Sequence, residues 1–222
     1  PLAVINVAML IAWTLACYGT PAVTAQLIVK ISVIFVVIMS FIVFHEERRV
    51  IRDPGYIFGT LVSFFGVVIV LTGGTTTFEV AASLPSILLI GTALLWAVYV
   101  VWMKHLVTDI HPIPLFTILA IYSTIGIAIA AAILGDITTI VPTNPRIATI
   151  AFISGFVPVA LAHPVYHFAQ KHLGSALCSS WTLVNPFITF LASLVFLPNE
   201  TLGVIPLIGG CILISGTLWV TI

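Results

Sequence analysis

Charge is what this sequence lacks most. Lys and Arg number 7, Asp and Glu 7, and together they make only 6% of 222 residues. A soluble domain carries roughly 25% charged residues. Without them a water-facing surface of this size cannot be built, so the surface has to face lipid. Net charge is zero, which removes any electrostatic argument for nucleic acid or an acidic partner. Cysteine is scarce as well. Cys17, Cys178 and Cys211 are far apart in apolar stretches, a pattern with no disulfide framework and no metal spacing. They read as small apolar residues. No charged segment precedes the first apolar run, so no signal peptide is expected.

Long apolar runs are what the chain has instead. Hydrophobic types make up 61% of it. A bilayer-crossing helix needs about 20 mostly apolar residues. Eight runs qualify, near 2–18, 22–44, 56–73, 84–104, 114–134, 147–169, 175–197 and 203–222. The breaks between them carry Gly, Pro or charge, as at Tyr18 to Pro21, His45 to Gly55 and Pro198 to Glu200. Continuous runs of this kind exclude the alternating segments of a membrane barrel. The expected fold is therefore all-α and integral to the membrane. With eight spans in series, one side collects Arg48, Arg49, Arg52, Lys104 and Lys171, and the other only Arg146. That bias makes loop 45–55 cytoplasmic, and with it both chain ends.

Two parts of the chain look alike. Glu47 and Glu200 each follow a long apolar run and precede a Gly-rich one, 153 residues apart. At that offset Ala16 meets Ala169, Ser40 meets Ser193 and Val33 meets Pro186. Beyond the charged loop the offset is 150, and Gly59 meets Gly209 while Gly66 meets Gly216. Small residues seven apart lie on one helix face and let helices approach closely in lipid. By the span count Glu47 and Glu200 fall on opposite sides, so the two units are inverted. Inverted repeats are characteristic of secondary transporters, with the site near the midplane. Residues 1–74 supply three helices of the first unit and 84–222 all five of the second. The unpaired stretch 84–145 and the Pro1 start lead to the expectation that two further helices, about 60 residues at the usual span length, precede the chain.

The stretches IVKISVIFVVIMSFIVFHEERR with YIFGTLVSFFGVVIVLTGG, and LVNPFITFLASLVFLPNETL with IPLIGGCILISGTLWV, resemble the drug/metabolite transporter superfamily, EamA type. The family pattern is a helix with an early Pro, a Glu about one helix later, then a Gly-spaced closing helix. The second unit carries it as Pro186, Glu200, Gly209 and Gly216; the first has Val33 in place of the Pro and keeps Glu47-Arg48. GTALLWAVYVVWMKHL is similar to the opening helix of the second unit. The resemblance covers essentially the whole chain. It implies a ten-helix bundle of two inverted five-helix repeats, of which eight helices are visible here. It also implies export or exchange of small metabolites, often amino acids, sugars or nucleotide-linked compounds, across a prokaryotic inner membrane.

Eight residues are candidates for lining a substrate path. Lys30 stands some eight residues into its run, about 12 Å from the end by helical rise. An intramembrane Lys faces a cavity or a partner, or snorkels to the interface. The first reading makes it a site for a substrate carboxylate or phosphate. His163 and His167 share a helix face with Tyr166 beside them, and Pro158 and Pro164 interrupt that helix. They line a path and take up a proton near neutral pH, or they bond backbone freed by the prolines. A metal would need a third ligand, which the sequence does not offer. Trp96 and Tyr99 are rings with polar handles at spacing three, suited to an organic solute or to plain packing. Trp102 follows at the same spacing and, beside Lys104, reads as interfacial. Trp181 precedes Asn185 by four, and Asn185 sits beside Pro186 as a buried amide at a helix break. Glu47 and Glu200 read as structural, capping the following helix or pairing with Arg48. Glu79, Asp136 and Asp109 read as solvated loop residues, with Pro142 in a non-cytoplasmic loop.

The leading reading is a secondary transporter of small organic solutes, not an enzyme, with no cofactor and no metal. Its partners are a small-molecule substrate and the lipid bilayer, and a homodimer is left open. An intramembrane enzyme would need paired acids or a nucleophile–base pair, and no Asp or Glu lies deep in a run. A channel would need a polar ring lining a pore, and none is offered.

Overall fold

The computed structural model describes residues 1–18, 22–72, 84–135, 144–188, 191 and 204–220. Among these the chain is helical throughout, joined by short turns. Continuous apolar sequence leaves the backbone no water to bond, and a helix satisfies it internally. The elements are α1 (Leu2–Cys17), α2 (Ala22–Lys30), α3 (Ser32–Val43), α4 (Glu47–Ile51), α5 (Pro54–Thr72), α6 (Leu84–Asp109), α7 (Pro112–Leu134) and α8 (Pro145–Gly155). A π turn (Phe156–Ala162) then leads into α9 (His163–Leu173). After it come α10 (Ser175–Trp181), a 3-10 turn (Thr182–Val184) and α11 (Val204–Trp219).

Among the described residues two helices are long and apolar enough to cross a membrane unbroken, α6 with 26 residues and α7 with 23. Three other expected runs are not uniform α-helix. Run 22–44 tightens for one residue at Ile31, between α2 and α3, where the backbone stays right-handed helical and the Ile31 N–H bonds to Ile28 O at 3.1 Å. Run 147–169 is α8, the π turn and most of α9. Run 175–197 changes to 3-10 geometry at Thr182. The apolar pattern predicts the first as a continuous span, whereas Pro158 and Pro164 already mark an interruption in the second and Pro186 one in the third. No Gly or Pro announces the tightening at Ile31; it falls where Lys30 reaches Thr182, far along the chain. The expected roles of Glu79, Asp136, Pro142 and Glu200, and the pairing of Ser40 with Ser193, fall outside the described residues.

Helix α1 packs on α6 and α7, α3 on α6 and α10, and α5 lies along α11. The α5–α11 seam is built on glycine. A Cβ at Gly59 would lie 2.8 Å from Val220 N, and one at Gly209 would lie 2.9 Å from Val70 N. A Cβ at Gly66 would lie 2.5 Å from Leu213 N, and one at Gly216 would lie 2.5 Å from Ser63 N. Backbones this close leave room only for hydrogen, the small-residue packing that lipid favours. An offset of 150 residues converts the first contact into the second and the third into the fourth. Ser63 and Thr217 add a hydroxyl bond of 3.1 Å across the seam.

The turns around 45–53 and 173–174 and the end of α11 gather at one end of the bundle. Glu46, Lys104, His172 and Gly174 line one small cavity there, and Arg49, Asp53, Leu173 and Trp219 line a neighbouring groove. Arg48 donates to the carbonyls of Phe41 and Ile42 at 2.8 and 3.1 Å. These belong to the last turn of α3, whose carbonyls lack helical partners.

Candidate functional site

An aromatic cluster forms where α6, α7 and α9 meet. Trp96 and Tyr99 come from α6, Phe116 from α7, and His163, Tyr166 and His167 from α9. Trp96 has its ring 5.5 Å from Tyr99 and 6.3 Å from both His163 and Tyr166. Phe116 stacks on His163 at 5.5 Å and also meets His167 at 5.7 Å. Five of the eight expected site residues are therefore brought together: Trp96, Tyr99, His163, Tyr166 and His167. Helical spacing does part of this, since residues three and four apart share a face. The π turn does the rest. Its wider geometry resets the phase of α9 just before His163, and such turns often occur at functional sites.

Beside the cluster a cavity of about 490 Å³ opens between α7 and the π turn. Phe116, Thr117, Ala120, Thr124, Ala160 and Pro164 line it. It is predominantly apolar with a few hydroxyls, and it is a groove open at the surface of the bundle, since Thr117, Thr124 and Ala160 are all exposed. Phe116 stands both in this wall and against His163. Sequence reasoning missed Phe116, because a Phe in an apolar run carries no signal of its own.

A buried chain of hydrogen bonds leaves the cluster. Tyr99 OH lies 2.9 Å from His167 Nε2, and His167 Nδ1 lies 2.9 Å from Gln170 Oε1. Gln170 Nε2 donates to Val100 O at 2.6 Å and to Ser175 Oγ at 2.9 Å. The directions can be assigned. Val100 O can only accept, so the Gln170 amide nitrogen faces it and Oε1 is left to accept. His167 Nδ1 must then carry the proton, and Nε2 accepts from Tyr99 OH. His167 and Gln170 are fully buried. Of the readings open for His167, its geometry is that of a satisfied polar residue of the interior. For Gln170 the available signal in the sequence was its position three after His167. Tyr166 OH adds a bond of 3.2 Å to Ser179 Oγ on α10.

Lys30 lies elsewhere, at the junction of two irregular helices. It is the last residue of α2, just before the tightened turn at Ile31, and is 8% exposed. Its Nζ donates to Thr182 O at 2.9 Å, at the start of the 3-10 turn. A helix that changes from α to 3-10 geometry frees carbonyls, and an ammonium is a strong partner for one in a dry interior. The Lys30 amino group thus ends on a protein carbonyl, shielded from the surroundings of the bundle.

Trp181 and Asn185 do not join the cluster. Trp181 lines the groove of about 580 Å³ with Arg49, Asp53, Tyr56 and Trp219. Asn185, expected as a buried amide, is exposed. It belongs to the turn of helix after the 3-10 segment, where the phase change rotates it outward. Lys104, expected at the interface, is 8% exposed, with Nζ 3.5 Å from Lys171 O. Glu47 caps neither the following helix nor Arg48. Its Oε1 accepts from Ser175 N at 2.7 Å and its Oε2 from Ala176 N at 2.9 Å, at the start of α10.

None of the curated proteins matches this chain. Among solved structures, one described only as the crystal structure of a protein aligns with a TM-score of 0.81 at 16% identity. The alignment covers 98% of this chain and 74% of that one. At that identity the likeness is one of fold alone. The model of the EamA-like transporter family matches residues 83–222, from just before α6 to the last residue. That is more than half of the sequence, and it includes the aromatic cluster and the whole of the polar chain. The chain is an integral membrane protein that belongs to the EamA-like transporter family.

Proposed function

We propose that the chain is a secondary transporter that exports or exchanges small organic metabolites, such as amino acids, by alternating access. The observation that carries this reading is the junction of Lys30 with Thr182. A locally tightened helix comes from residues 22–43 and an interrupted one from 175–188. A helix interrupted inside a membrane is the usual frame for a solute site between inverted repeats. The glycine contacts related by an offset of 150 support the same division, with 1–74 in one unit and 84–222 in the other. Trp96, Tyr99, His163 and Tyr166 supply aromatic and polar walls for an organic solute, and Lys30 supplies the positive charge for a carboxylate or phosphate. The end carrying loop 45–55 is the cytoplasmic one, on the argument from basic residues.

Ligand-dependent thermal stability in detergent tests this directly, with amino acids, sugars, nucleotides, organic phosphates and amphipathic cations as the panel. A bound ligand raises stability by mass action. The expected result is a stereoselective rise with one anionic class, followed by counterflow of that solute in proteoliposomes. Lys30→Ala should weaken the same ligand by about tenfold or more, the loss of a charge-assisted bond. Equal affinity in that variant removes Lys30 from the site.

A further inference from the structure

We propose that Glu47 is a latch that holds shut the end of the bundle carrying loop 45–55, and that the chain Tyr99–His167–Gln170–Ser175 connects this latch to the aromatic cluster. The inference rests on the transporter reading and adds a gate to it.

Ser175 and Ala176 open α10, so their N–H groups have no acceptor within the helix. Both are served by one side chain from a segment 128 and 129 residues earlier. Glu47 is only 6% exposed. Gly174 lets it approach: its φ of 90° suits glycine, and a Cβ there would lie 2.9 Å from the Glu47 carboxyl carbon. The two sides of this seam are therefore joined by a carboxylate rotor. Breaking the join requires a side chain to turn; no helix has to unfold.

The carboxylate also has a second place to go. Glu46, Glu47, Lys104, His172 and Gly174 line a cavity of about 190 Å³ at the seam. Lys104 is buried there, with only a 3.5 Å contact from Nζ to Lys171 O and the Phe44 ring 5.9 Å away. Among the described residues Glu47 forms no ion pair with it. Two partners for one acid, one occupied and one waiting, make a two-state element of the kind gating requires. The closed state is Glu47 on α10, and the open state is Glu47 on Lys104.

Ser175 ties the latch to the site. Its N–H is held by Glu47 and its hydroxyl accepts from Gln170, which fixes His167 and through it Tyr99. Each bond in this chain has one allowed direction. A solute that draws Tyr99 away leaves His167 Nε2 without its donor, and the strain passes along α9 to the start of α10.

Dipolar EPR distances across the seam test the latch. Nitroxides are placed at Arg49→Cys and Leu173→Cys, in a background of Cys17→Ser, Cys178→Ala and Cys211→Ser, in proteoliposomes. The parent should give one short distance. Glu47→Gln weakens both charge-assisted bonds to α10 and at the same time removes the ion pair of the open state, so a broadened distance distribution is expected in place of the single short one. Ser175→Pro deletes one latched N–H while keeping the acid, at a first helical position that accepts proline. It should show the same widening. Adding Lys104→Met to Ser175→Pro should restore the short distance, because Glu47 then has only Ala176 to serve. Unchanged distances in either folded single variant overturn the latch, and a wide population that persists without Lys104 overturns the open-state partner. Circular dichroism decides which variants are folded. Counterflow in the parent separates the two claims: solute movement with no latch response refutes the latch alone, and no movement of any solute refutes the transporter reading.

Discussion

The α5–α11 seam and the stretch from α8 through α9 are built from the same kinds of apolar residue, yet they differ in how they are held. In the seam, backbone meets backbone over Gly59, Gly66, Gly209 and Gly216. Such contacts are dense and allow neither helix to slide. Along α8 the large apolar side chains Ile147, Ile150, Phe152 and Ile153 all stand exposed, and Gly155 has nothing within 4 Å of a would-be Cβ. The segment from the π turn to Gln170 is held by rings and a few directional hydrogen bonds. Directional bonds can exchange partners at little cost, whereas glycine seams cannot be repacked. The contrast assigns the seam to the frame and the α9 region to the part that changes.

One substitution made on both sides gives the sharpest test. Gly66→Ala should be the most damaging change. Its Cβ would fall 2.5 Å from Leu213 N and 2.7 Å from Leu213 Cα, and backbone cannot step aside. A loss of about 3 kcal/mol is expected from such overpacking, read as a fall in melting temperature in detergent. Gln170→Leu comes next. It leaves the His167 Nδ1 proton without a partner and takes one donor from Val100 O and from Ser175 Oγ, at about 2 kcal/mol for unmade buried bonds. It should also loosen hydrogen exchange in α9 before anything changes in α5 or α11. Gly155→Ala should be the smallest and of opposite sign, a gain of about 0.5 kcal/mol from helix propensity with no clash to offset it. If Gly66→Ala and Gly155→Ala shift stability alike, the difference between frame and moving part is lost.

The membrane class, the number of apolar runs and the family were legible in the sequence. Composition and run length decide them, because lipid rewards continuous apolar helix whatever the tertiary arrangement. The glycines of the seam were legible too, since spacing of seven survives as a face on any helix. Trp96 with Tyr99, and His163 with Tyr166 and His167, were legible as two sets because period fixes which side chains of one helix lie together; that the two sets meet was not.

Beyond the reach of the sequence lay everything that depends on a partner far along the chain. The tightened turn at Ile31 carries no Gly or Pro, and Lys30 has its partner 152 residues away in Thr182. Glu47 has a neighbouring Arg48 and bonds instead to α10, because the free N–H groups at a helix start attract a carboxylate more firmly than an arginine already occupied with Phe41 and Ile42. Trp181 and Asn185 left the site because a 3-10 turn changes the phase of a helix, and phase beyond such a turn cannot be read from the apolar run. Hydrophobic pattern is a local quantity and determined the all-helical, apolar character of the chain. The pairing of buried polar groups is a property of distant residues meeting in a dry interior, and only the tertiary structure decided it.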